Sequence, residues 1–110
     1  MDTTRLKKVE RLLQKELSVY FQQHLNHYLG KLITVTSVRI SPDLSVSRVY
    51  LSIFPTQEID KVLEMIVAET GKIKYELGKK VKDQLRKMPD LKFFIDDSLD
   101  HAQKINELLK

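Results

Sequence analysis

The chain has 110 residues, 42% of them hydrophobic and 31% charged, a balance that fits one folded domain over residues 1–110 and excludes a disordered composition. It has no cysteine, which excludes disulfides, thiolate nucleophiles and Cys-ligated zinc. The formal net charge is +4, and no apolar run reaches the length of a signal segment or a membrane span, so a cytoplasmic monomer without membrane contact is expected.

Residues 4 to 28 have the period of a long amphipathic helix. Leu6, Val9, Leu13, Leu17, Tyr20, Phe21 and Tyr28 share one face, and Lys7, Lys8, Arg11 and Lys15 lie opposite. His24 falls in the middle of the apolar face, where a hydrogen-bonded core or boundary histidine is expected. Glu10 also falls on the apolar side, and the sequence shows no partner for it. Gly30 is the stop signal. The β-branched run LITVTSVRIS (residues 32–41) predicts a strand whose parity changes between Val35 and Val38, as burial on both faces or a bulge would produce. Ser41-Pro42-Asp43-Leu44-Ser45 is a turn, and residues 46 to 54 form a second strand paired as a hairpin. Pro55-Thr56 then opens a helix with Thr56 as its cap. Its stripe is Ile59, Val62, Leu63, Ile66 and Val67, and Glu69-Thr70-Gly71 interrupts it.

A third helix is expected over 72 to 87, with Ile73, Leu77, Val81 and Leu85 inward. Pro89-Asp90 ends it, Leu91 to Asp96 forms a short strand, and Asp97 or Ser98 caps a final helix carrying Leu99, Ala102, Ile105 and Leu109. The order is α-β-β-α-α-β-α. The αα crossover makes the second and third strands parallel neighbours, which gives an α+β fold with a three-stranded mixed sheet covered by helices.

The positive charge is local. Residues 72 to 92 hold eight basic residues against three acids, whereas residues 32 to 71 hold three against five. On the third helix Lys72, Lys79, Lys82 and Arg86 fall within about 80° of one another, nearly opposite the apolar stripe. A solvated lysine face is one reading of this. The other is a polyanion surface, since such a stripe gains from counterion release. The basic side of the first helix favours nucleic acid. Arg39 and Arg48 sit on strands and read as peripheral or structural.

Other constellations carry less. The break at Glu69, Thr70 and Gly71 allows a tight turn, and N–H groups beyond it could accept a phosphate, although glycine breaks of this kind are common. Asp96, Asp97 and Asp100 fit helix capping. His24 and His27 have no carboxylate at ligand spacing, so no metal is expected. Tyr20, Phe21, Tyr28, Phe93 and Phe94 have core-like spacing and do not support base stacking. No nucleophile–base set, P-loop or dinucleotide motif is present, so neither an enzyme nor a cofactor nor a small-molecule substrate is expected.

The segments LITVTSVRISPDLSVSRVYLSIF (32–54), GKIKYELGKKVK (71–82), MPDLKFFIDDSL (88–99) and the terminal AQKINELL together resemble the ribosome-binding factor A family over nearly the whole chain. The resemblance implies a type II KH-like fold without catalytic activity. It also implies association with the small ribosomal subunit and a role in late maturation of its ribosomal RNA. The family replaces the KH phosphate-clamping loop with an Ala-x-Gly interhelical kink. Here that kink is Glu69-Thr70-Gly71, and the Glu69 carboxylate would repel a phosphate. The expectation is therefore docking on folded ribosomal RNA by charge and shape, through Lys72, Lys79, Lys82 and Arg86, supported by Arg5, Lys8, Arg11 and Lys15. The alternative is a protein–protein adaptor whose basic face grips an acidic partner.

Overall fold

The computed structural model describes residues 3–96. The expected last helix and its cap lie outside the described residues, as does the side chain of Tyr28.

Helix α1 spans Thr3–Tyr20. Val9, Leu13, Leu17 and Tyr20 are buried and Leu6 packs partly against them, while Lys7, Lys8, Arg11 and Lys15 are exposed. The helix then widens into a π-type turn over Phe21–Leu25, closed by the Asn26 N–H donating to the Phe21 carbonyl five residues back. The wider turn shifts the apolar phase by part of a residue. Leu25 takes the core position that a regular helix would give His24, and His24 is exposed, its ring 4.8 Å from that of Tyr20. The expected core histidine is thus corrected. A last turn, α2 (Asn26–Leu29), ends at Gly30, whose φ of 66° is the left-handed stop that glycine adopts readily.

Strands β1 (Leu32–Ile40) and β2 (Val46–Phe54) pair antiparallel. Their register shifts between Val35 and Ser37, so a bulge accounts for the change of parity: Ile33, Val35, Val38 and Ile40 all reach the core. Helix α1 completes this edge strand. Gln14 Nε2 donates to the carbonyls of Val35 and Thr36 at 3.0 and 3.3 Å, and Glu10 Oε2 accepts the Ile40 N–H at 2.9 Å. Glu10 lies on the inward side of its helix for that reason, satisfying an edge donor that β2 does not reach. In the hairpin turn, Asp43 Oδ1 accepts the hydroxyls of Ser41 and Ser45, both at 2.7 Å, and the Ser45 N–H at 3.1 Å. These donors favour the ionised form and hold the Asp43 carboxyl at about 2.

The expected helix start at Thr56 is not observed. Lys31 Nζ donates to the carbonyls of Pro55 and Gln57 at 3.0 and 2.8 Å, holding this segment in a turn that ends with Glu58 at φ 59°. Helix α3 is Ile59–Ala68 and buries Val62 and Ile66; Val67, expected in its stripe, is exposed. Helix α4 is Thr70–Val81 and buries Ile73, Leu77 and Val81. It stops six residues before the expected end at 87. The N–H groups of Gln84 and Leu85 close a turn on the Val81 carbonyl, and the return to the sheet takes up the chain as far as Pro89.

Strand β3 (Asp90–Ile95) runs parallel to β2, giving the order β1-β2-β3. The described residues therefore follow α-β-β-α-α-β, an α+β fold with a mixed three-stranded sheet. Ser47 is buried beneath the junction, its hydroxyl donating to the Asp90 carbonyl at 2.9 Å. The described helices cover one face of the sheet. Phe21 meets Phe93 edge-on in the core at 6.2 Å, while Arg39, Arg48, Lys92 and Phe94 are exposed on the other face.

Candidate nucleic-acid interface

The outward side of α4 carries Lys72 and Lys79, and Lys82 caps its end, all exposed. At its centre is Tyr75, 64% exposed, with Lys79 Nζ 4.5 Å above its ring and 3.6 Å from Glu76. Tyr75 was not singled out by the sequence, although its spacing from Lys72 and Lys79 would have placed it among them. A shallow depression of about 530 Å³ runs along this side, lined by Gly71, Tyr75, Gly78, Lys79 and Lys82 among others.

The two glycines explain the depression. Neither has a positive φ, and a Cβ built on either would meet no heavy atom within 4 Å. The fold therefore does not require glycine at these positions, and the expectation that Gly71 makes the tight turn is corrected. The bend lies at Glu69, with φ −91° and ψ 3°. What the missing side chains do is leave the helix backbone bare between cations, so that a bulky anion can approach it closely.

Arg86 is not on α4. Because the helix ends at Val81, Arg86 lies in the following loop, where it joins residues distant in sequence. Arg5, Lys82, Arg86 and Lys87 line a depression of about 520 Å³ between the start of α1 and this loop, and Lys8 borders an adjoining one with Arg5 and Leu85. Asp43, kept ionised, and Asp83 also line the first depression and offset part of its charge. Arg11 and Lys15 are exposed on α1 but border neither depression. Lys74 is withdrawn from the surface charge by Asp90, its Nζ 2.6 Å from Oδ1. That bond and the charge behind it hold the Asp90 carboxyl below its usual range.

At the kink, Glu69, Thr70 and Gly71 come together as the sequence places them, with Glu69 half-buried beside α1. The Tyr20 hydroxyl is pushed up by burial and then by the nearby carboxylates of Glu69 and Glu76. This corner is electronegative and poorly suited to holding a phosphate. Among the described residues, no three His, Asp or Glu side chains converge as a metal site would need.

A family model described as Ribosome-binding factor A matches residues 5–109. The chain belongs to the ribosome-binding factor A family. It is 43% identical over 111 residues to ribosome-binding factor A of Flavobacterium johnsoniae, covering 99% of this chain and 85% of the relative. It is 40% identical to that of Christiangramia forsetii with the same coverage. Among solved structures it is similar to the crystal structure of ribosome-binding factor A from Thermus thermophilus, with TM-score 0.67 and 26% identity over 82% of this chain and 94% of that one. It is also similar to a Thermus thermophilus ribosome-binding factor A fitted into a cryo-electron-microscopy map of a 30S complex, with TM-score 0.68 and 28% identity over 82% of this chain and 93% of that one.

Proposed function

We propose that this chain is a non-enzymatic, cytoplasmic RNA-binding domain over residues 1–110. It associates with the small ribosomal subunit, assists late maturation of its ribosomal RNA, and docks on folded RNA through the α4 face. The observation that carries this reading is the bare glycine strip of α4, whose depression Lys79 and Lys82 line, with Lys72 exposed on the same helix. A solvated lysine face has no need of exposed backbone, whereas an RNA backbone that must come close to a helix does. Arg5, Lys8, Arg86 and Lys87 extend the surface at one end, and Arg11 and Lys15 contribute long-range attraction. The complex of the Thermus relative with the 30S subunit supports the choice of partner. Glu69 disfavours a phosphate clamp at the kink, which leaves charge and shape as the means of recognition.

The double variant Lys79→Glu/Lys82→Glu tests this. Removing two phosphate contacts should lower the slope of log affinity against log salt by about 1.8 and weaken association at least about tenfold, with unchanged circular dichroism. Co-sedimentation with small subunits equal to that of the parent would overturn the reading. Association that survives removal of the RNA and depends on one acidic protein would favour an adaptor instead.

A further inference from the structure

The face of the sheet turned away from the helices carries a feature that docking through α4 does not use. In the pairing register Arg39 lies opposite Arg48, and Arg48 lies opposite Lys92. One row across all three strands is therefore cationic, with neighbours about 4.8 Å apart. Like charges directly opposite one another on adjacent strands destabilise a sheet. None of the three forms an ion pair within 4.0 Å among the described residues, and Lys92 lies within longer-range reach of the Asp90 carboxylate. The three side chains share a depression of about 430 Å³ whose lining contains no acid.

Two residues further along the same face, Tyr50 and Phe94 are partners in the next row, their rings 5.6 Å apart and inclined by 28°. Phe94 is 41% exposed and Tyr50 is half-buried. The expectation that Phe94 belongs to the core is thereby corrected: Phe93 takes that place and Phe94 faces outward.

We propose that this open face is a second RNA-binding surface and that its ligand is a short single-stranded segment. The Tyr50–Phe94 pair stacks against a base, and Arg39, Arg48 and Lys92 hold the adjoining phosphates. Aromatic side chains on a sheet can take unstacked bases, and the π-face of any base suits them. Duplex RNA hides its bases, so it can use only the cations.

The test is fluorescence anisotropy of the full chain with a labelled ten-residue oligouridylate across a salt series. The parent chain should bind it more tightly than a duplex of equal length. Phe94→Leu keeps the apolar volume and loses the ring, and should weaken binding about fivefold or more. Arg39→Gln/Arg48→Gln/Lys92→Gln should reduce the salt slope by about 2. This triple variant relieves repulsion, so it should fold at least as well as the parent. Equal affinity and slope in both variants, with the parent's circular dichroism, would overturn the proposal. So would equal binding of duplex, or loss of small-subunit association with oligouridylate binding intact, which would mark a protein contact. These readouts are independent of Lys79 and Lys82, so failure here and failure of the α4 docking reading are distinguishable.

Discussion

The two basic surfaces of this molecule are built by different rules. The α4 face is local. Lys72, Lys79 and Lys82 come together because a helix returns to the same side every 3.6 residues, so a short stretch of sequence contains the whole pattern. The row on the sheet is non-local. Arg39, Arg48 and Lys92 come from three strands, and only the register of both pairings aligns them. The two also differ in what surrounds the charge. On α4 the cations flank bare backbone and one exposed tyrosine. On the sheet they crowd one another beside an aromatic pair. A helix face of this kind suits a rigid phosphate backbone, and a cationic row beside stacked rings suits a flexible strand. Charge counted along the chain would treat them as one property.

The comparison can be broken most severely by removing what holds α4 in place. Leu77 is fully buried, so Leu77→Ala should lower unfolding free energy by about 2–5 kcal/mol in urea denaturation. Its small-subunit association should fall with it as the α4 face loses its seat. A smaller change separates fold from function on that face. Gly78→Ala adds a methyl group into open space and should raise stability by about 0.5–1 kcal/mol through helix propensity, yet weaken co-sedimentation with small subunits by filling the bare strip. On the sheet, Arg39→Thr removes one like-charge pair and should stabilise the chain by about 0.2–1 kcal/mol at low salt, the gain shrinking as salt screens the repulsion. The smallest effect is electrostatic. The depressed Asp43 carboxyl contributes stability above its ordinary value of 3.8, and this is lost as pH falls through about 2. A carboxyl-carbon NMR titration should find its midpoint near 2, and a midpoint near 3.8 would mean that the serine hydroxyls do not hold it.

Much of this was legible because local periodicity is a strong signal. The element order from α1 to β3, the hairpin turn at Asp43, the Gly30 stop and the bulge between Val35 and Ser37 all leave marks within a few residues. The errors share a cause, which is that tertiary demands overrode a local pattern. His24 lost its core position to a π-type turn, and Thr56 lost its capping role to the carbonyls held by Lys31. Arg86 left the helix because the chain had to turn back towards β3. Gly71 was credited with a bend that Glu69 makes. Glu10 had no partner in the sequence because its partner is an edge N–H thirty residues away.

The sequence by itself determined the class of the fold, the local excess of positive charge and the family, since each depends on residue identity and short spacing. The tertiary structure alone decided which charges act together. It withdrew Lys74 to Asp90, gathered Arg5 with Arg86 and Lys87, and aligned Arg39, Arg48 and Lys92. The physical reason is that a charge acts through distance in space, and spacing along the chain predicts that distance only within a single helix or strand.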